Sequence, residues 1–242
     1  MHNPLDQFRI YSLINLPKLF GLNIDFSNSA LFMCLSILFT GALLLISTHK
    51  CQFIPNKKQA VVEMLYSFTE KTMLSVAGES AMAFFPFIFT LFLYILTCNI
   101  VGLMPYGFTV TSHIIVTFAL GAMVVVFVTI VGIYKHGIGF IKIFNPPGTP
   151  SWLIPLMVII EIITYLSRAA TLAIRLGANM IAGHTMLKVI AIFIAQLSIF
   201  FAVIPFTFLI TLHLLELFVA ALQAYIFAIL TCVYLDSVIN LH

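Results

Sequence analysis

Charge is what this 242-residue chain has least of: Asp, Glu, Lys and Arg make up 8% of it, against 62% hydrophobic residues. A soluble globular domain carries about 25% charged residues. Composition therefore excludes a water-facing surface and points to an integral membrane protein. The net charge of +3 sits in loops or at isolated positions inside apolar runs, and so says nothing about nucleic acid. Cysteine is scarce as well. Cys34, Cys51, Cys98 and Cys232 are scattered, show neither disulfide-framework nor metal-ligand spacing, and read as buried apolar thiols. Neither HExxH nor GxSxG occurs, so an intramembrane hydrolase lacks its metal motif or its serine elbow. The N-terminal "MHNPLDQFRIYSL" has neither the n-region and h-region of a signal peptide nor the Arg-rich character of a transit peptide. No import signal is expected.

What is present is helix-forming apolar sequence in lengths that match a bilayer. About twenty apolar residues span it as a helix. Residues 30–47 form the first candidate span, after an N-terminal segment, 1–29, expected outside. Residues 58–80 mix Lys58, Glu63, Glu70, Lys71 and Glu79 with apolar residues at helical spacing. They read as an amphipathic helix on the membrane surface or packed beside the bundle. A helical hairpin follows over 84–134, from spans 84–104 and 113–134 joined by "PYGFTVTS", and then a Gly/Pro loop at 136–151. Lys50, Lys57, Lys58, Lys71, Lys135 and Lys142 lie on one side, whereas loops 105–112 and 197–205 hold no Lys or Arg. The positive-inside rule puts the basic loops and the C-terminus inside. With no internal repeat and no linker, the chain reads as one membrane domain.

Residues 152–240 are apolar almost throughout, with a turn expected near 197–205. Each half is near forty residues, on the order of 60 Å as a helix, twice the hydrocarbon thickness of about 30 Å. Either each half folds back as two short spans, or both are long tilted helices. Turns would be needed near 175 and 222, and "IRLGAN" and "ALQAY" are poor ones. A long tilted hairpin is preferred, because it keeps every backbone group bonded within its own helix.

The intramembrane polar residues are patterned. Arg175 has Thr171, Leu172, Ala178 and Asn179 at i±3 and i±4, so no acid stands where a helical partner would. At about 100° per residue, Glu161, Arg168, Thr171 and Asn179 fall within about 40° of Arg175, while His184 falls on the opposite face with Lys188 close to it. On the last helix Glu216 and Gln223 share a face and Asp236 lies about 160° away. Polar groups thus occupy one face toward one end of each helix and the other face toward the other end. Two offset polar paths fit this pattern better than one continuous pore. An intramembrane charge costs roughly 2.5–3.5 kcal/mol on insertion scales, so Arg175 reads as functional. Arg168 has Glu161 or a loop as partner, and Lys188 has a headgroup within reach. His213 and Glu216 stand at i, i+3 without enough further ligands for a metal. Ala169, Ala173 and Gly177 recur every four residues, a row that lets another helix approach closely.

At this point the residues resemble a family. "LSRAATLAIRLGANMIAGHTMLKVI" is similar to the signature of subunit a of the rotary ATP synthase. "NIVGLMPYGFTVTSH", "NPPGTPSWLIPLMVIIEII" and "LLELFVAALQAYIFAILTCVYL" agree with it, in the family's order, over about residues 84–240. The resemblance implies an all-α integral membrane protein with two or three conventional spans, a surface amphipathic helix and the long tilted hairpin. It implies a proton-translocating stator subunit that is not itself catalytic and needs no cofactor or metal. Arg175 matches the family's essential arginine, which faces the carboxylates of an adjacent rotating ring of small proton-carrying subunits. Asn179 and Gln223 match polar positions near it. His184 and Glu216 match the pair in the outer half-channel, and Glu161 and Asp236 match acids in the inner one. Implied partners are that ring, the other stator and peripheral-stalk subunits, and the lipid bilayer, with no nucleic acid. The "AGHT" form with Glu216 resembles mitochondrial and related bacterial members, and "GFTVTSH" resembles the mitochondrial ones, so the mitochondrial inner membrane is expected, with a bacterial cytoplasmic membrane as the alternative. The rival readings are a proton-coupled secondary transporter, against which stands the lack of inverted repeats and Gly/Pro-broken helices, and the membrane subunit of a respiratory proton pump.

Overall fold

The computed structural model describes residues 8–14, 25–48, 54–104, 107–137 and 153–239, with Ala169 and Ile199 described by backbone alone. The Gly/Pro loop, apart from its first residues, lies outside the described residues, as do Lys50, Cys51, Pro105 and Tyr106. Among the described residues two short strands, β1 (Ser12–Ile14) and β2 (Phe26–Ser27), precede six α-helices: α1 (Asn28–Thr48), α2 (Lys57–Ala77), α3 (Phe85–Leu103), α4 (Ile114–His136), α5 (Ile154–Gln196) and α6 (Ile199–Ile239). Five helical segments among the described residues are long and apolar enough to cross a membrane: Asn28–Ser47, Glu79–Leu103, Ile114–His136, Ile154–Gln196 and Phe200–Ile239. The chain is an all-α integral membrane protein.

α5 runs unbroken for 43 residues and α6 for 41. Neither folds back near 175 or 222. The turn expected over 197–205 is confined to Leu197 and Ser198, and α6 accommodates Pro205 in its second turn. A proline there removes one i→i−4 bond and kinks a helix rather than ending it when the surroundings support the rest. β1 and β2 pair antiparallel, Ser12 opposite Ser27 and Ile14 opposite Phe26. Asn28 stitches this ribbon to α1. Its backbone N–H donates to Tyr11 O at 3.1 Å, its Nδ2 to Arg9 O at 3.1 Å, and its Oδ1 accepts from Ser29 N at 2.9 Å.

The described residues group into two compact units, and α3, α5 and α6 each contribute to both. One unit draws on 1–50, 93–113 and 176–224, the other on 51–92, 114–175 and 225–242. In the first, the buried Asn99 of α3 makes the polar tie. Its Nδ2 donates to the Ala220 carbonyl of α6 at 3.1 Å, and its Oδ1 accepts from Thr111 Oγ1 at 2.9 Å. Leu103, Met180 and Ala220 pack beside it as a small apolar core. In the second, rings lock the helices. Phe87 stacks on Phe127 at 3.7 Å, Tyr66 meets Phe85 edge-on at 4.7 Å, and Phe68 meets Tyr225 at 5.1 Å. α2 therefore packs one face against α3 and α6. It ends at Gly78, whose φ of 69° is open to glycine at no steric cost, and whose N–H bonds back to Leu74 O at 3.2 Å.

Replacing Asn99 by Leu leaves the Ala220 carbonyl and the Thr111 hydroxyl without this partner. A loss of about 1–2 kcal/mol is expected. Thermal dissociation of the detergent-solubilised complex should shift to lower temperature in Asn99→Leu; an unchanged midpoint contradicts the role.

Candidate functional site

Within the first unit, α5 and α6 bring His184 and Glu216 together, with His184 Nε2 3.9 Å from Glu216 Oε1. Glu216 is 6% exposed, and among the described residues neither of its carboxyl oxygens has a hydrogen-bond partner. A bare anion held that way is prohibitive. The position suits a carboxyl that takes up and passes on a proton. Room for it comes from Gly183. A Cβ there would run into Glu216 Oε1 and lie 2.9 Å from its Cδ. Beside the pair is a cavity of about 210 Å³, bounded by Asn179, Gly183 and Met186 of α5 and Leu212, Glu216 and Val219 of α6. The same ring nitrogen of His184 is anchored by Thr109, whose Oγ1 lies 2.8 Å from Nε2, and the edge of Phe8 approaches the ring at 6.4 Å. Gln223, two turns beyond Glu216, is buried at 6% exposure. His113, just before α4, stacks on Phe108 at 5.2 Å, and burial pushes its imidazole below the usual histidine range.

The second unit holds a different cluster. Glu161 Oε1 lies 4.0 Å from the Arg168 guanidinium, which also sits 5.0 Å over the ring of Tyr234 and 5.7 Å over that of Tyr165. Tyr165 is fixed in turn by a 2.7 Å hydrogen bond between its hydroxyl and Thr129 Oγ1. Arg168 thus takes the partner its helical face offered, two turns away. Asp236 is half-buried near the end of α6, and His136 Nε2 lies 3.3 Å from the Ile239 carbonyl.

Arg175 stands apart. It is exposed, and among the described residues no acidic side chain lies within ion-pair distance of it. Asn179, one turn on, is exposed too, and Lys188 is half-buried. The seven candidate residues thus divide: His184, Glu216, Asn179 and Gln223 belong to the first unit, and Glu161, Asp236 and Arg175 to the second. Thr109, Gly183, Asn99, Tyr165 and Tyr234 were not singled out by sequence. Thr109 and Asn99 sit inside "NIVGLMPYGFTVTSH", and Tyr165 is at i−3 from Arg168, so those two signals pointed their way. Among the described residues no group of three or more His, Cys, Asp or Glu side chains is placed to hold a metal ion.

Singly, His184→Glu and Glu216→His should each slow proton pumping about tenfold or more, equivalent to about 1.4 kcal/mol or more. Because the two side chains face each other, the exchange of both should recover most of that loss in membrane vesicles. A double variant no better than the worse single one would show that they do not act as a pair.

The family model for the ATP synthase A chain matches residues 30–236. The chain is similar over nearly its whole length to proteins named ATP synthase subunit a. It is 51% identical to that of Wolbachia sp. subsp. Drosophila simulans (strain wRi) over 238 residues, covering 98% of this chain and 99% of the relative. It is 49% identical to that of Ehrlichia chaffeensis (strain ATCC CRL-10679 / Arkansas) over 240 residues, covering 99% of each. It is 47% identical to that of Pelagibacter ubique (strain HTCC1062) over 240 residues, covering 99% of this chain and 98% of the relative. These relatives are bacterial, which fits the alternative localisation, a bacterial cytoplasmic membrane, and lends no support to the mitochondrial one.

Proposed function

We propose a division of labour within a chain whose family is shown: it belongs to the ATP synthase A chain family and is the proton-translocating stator subunit of the rotary ATP synthase. It is a multi-pass membrane protein, and the other subunits of that complex are its partners. Our reading of how it moves protons rests on one observation. Its intramembrane polar side chains fall into two clusters, while Arg175, between them along α5, has no acidic partner among the described residues.

In this reading the partner of Arg175 is the carboxylate of each passing subunit in an adjacent ring. A ring carboxylate facing lipid has to be neutral. Opposite Arg175 it is stabilised as the anion: at about 4 Å and an effective dielectric of 20 the attraction is about 4 kcal/mol before desolvation. It releases its proton into one path, passes Arg175, and is reprotonated from the other. His184 and Glu216, with Asn179 and Gln223 nearby, form the outer path. Glu161 and Asp236 form the mouth of the inner path, where negative charge lowers the free energy of an arriving or leaving proton. The fixed cation between the paths repels a hopping proton, so flow is coupled to rotation. This chain makes and breaks bonds to protons alone, and ATP is formed by other subunits. The peripheral stalk and remaining stator subunits hold it against the ring's torque.

Sidedness tests the two-path reading. In a background lacking Cys34, Cys51, Cys98 and Cys232, cysteines replacing Glu161 or Asp236 should react with a membrane-impermeant thiol reagent from the side of the basic loops. A cysteine replacing Glu216 should react from the opposite side alone. Labelling of all three from one side would mean a single continuous pore.

A further inference from the structure

We infer that Thr109 is a positioning residue for the proton relay, its hydroxyl holding the His184 imidazole with Nε2 toward Glu216 in both protonation states of the ring. The inference rests on the assignment of His184 and Glu216 to the outer path.

The geometry carries it. Thr109 is 5% exposed and lies on the connection between α3 and α4, before the short 3₁₀ turn Val110–Ser112. Its backbone is held by the following turn, its carbonyl accepting from Ser112 N at 3.2 Å and from Ser112 Oγ at 2.6 Å. Its side chain reaches two groups at once: Oγ1 is 3.3 Å from the Gly102 carbonyl and 2.8 Å from His184 Nε2. Gly102 makes this possible. A Cβ at 102 would lie 2.8 Å from Thr109 Cγ2 and 3.1 Å from its Cα, so only glycine lets the connection settle this closely on α3.

A threonine hydroxyl has one proton to donate and lone pairs with which to accept. When Nε2 carries a proton, Thr109 accepts from it and donates to the Gly102 carbonyl. As the Glu216 side chain closes the 3.9 Å gap, the Nε2 proton leaves its hydrogen bond to Thr109 and passes from the imidazolium to the Glu216 carboxylate. The N–H bond breaks as the O–H bond forms, leaving a neutral imidazole with its proton on Nδ1. Thr109 rotates its O–H from the carbonyl to the bare Nε2. The hydroxyl then swings back to the Gly102 carbonyl, and the freed Nε2 lone pair takes up the next proton. One rotor thus satisfies both states of the ring, and the ring itself does not have to turn between protons. An imidazole free to flip would present Nδ1 to Glu216 for part of the time and lose the alignment that proton transfer requires.

The test uses the whole complex in inverted membrane vesicles, with ATP-driven proton pumping and the amount of assembled complex measured together. Thr109→Val keeps the shape and removes the hydroxyl. It should slow pumping about tenfold at unchanged assembly, as misalignment of a reacting group does, and Thr109→Ser should restore it to within about twofold. Nitrogen NMR of histidine-labelled complex, with the His184 signal identified by its loss in His184→Gln, should show a hydrogen-bonded Nε2 with Thr or Ser at 109 and a free one with Val. Normal pumping by Thr109→Val while His184→Gln is inactive overturns the inference and leaves the path assignment intact. Equal defects in the Ser and Val variants overturn it too, since shape rather than the hydroxyl would then matter. Normal pumping by His184→Gln removes the path assignment and the inference with it.

Discussion

A guanidinium cannot shed its proton at any pH the protein meets, and inside a hydrocarbon slab that fact constrains everything around Arg175. The group needs an anion or water, and α5 offers it no acid at helical spacing. Arg168, seven residues away, shows the contrasting case: Glu161 and the faces of Tyr165 and Tyr234 surround it within the chain. One arginine is supplied from within, and the other is presented outward. Two cations on one helix face are thus differently satisfied among the described residues.

The long helices follow from the same solvent. With no water to satisfy free N–H and C=O groups, a segment crossing lipid bonds within itself, and α5 and α6 do so for 43 and 41 residues. Polar side chains must then be placed by rotation about the helix axis rather than by loops. That placement is economical for a proton carrier. Asn179 and Gly183 line one cavity with Glu216 across it, and His184 turns toward Thr109 on the connection between α3 and α4. The cavity wall is otherwise apolar, so the Glu216 carboxyl lies in a low-dielectric setting where nearby charge has a large effect.

Much of this was legible in the residues. Spans expected at 30–47, 84–104 and 113–134 occur at Asn28–Thr48, Phe85–Leu103 and Ile114–His136, because bilayer thickness dictates length. The 100° periodicity joined Glu161 to Arg168, and the wording around Arg175 identified the family that the whole-chain similarities show. Contacts between distant segments were not legible. Thr109 meets His184 across 75 positions and Asn99 meets the Ala220 carbonyl across 121. Neither pairing leaves a periodic trace, since each depends on how helices pack. Gly183 and Gly102 read as ordinary small residues until the side chains opposite them, Glu216 and Thr109, are seen. The β1–β2 ribbon was missed because a three-residue and a two-residue strand carry too little alternation to register.

The central claim is that Arg175 both serves the ring carboxylates and keeps the two paths apart. Its most direct test is Arg175→Ala in the assembled complex, with ATP-driven proton pumping and passive proton leak measured on the same vesicles. The account predicts that pumping is abolished while passive leak persists or rises, because the other cation on that face, Arg168, is about 10 Å away along the axis and does not share its position. Near-normal pumping by the variant would contradict it.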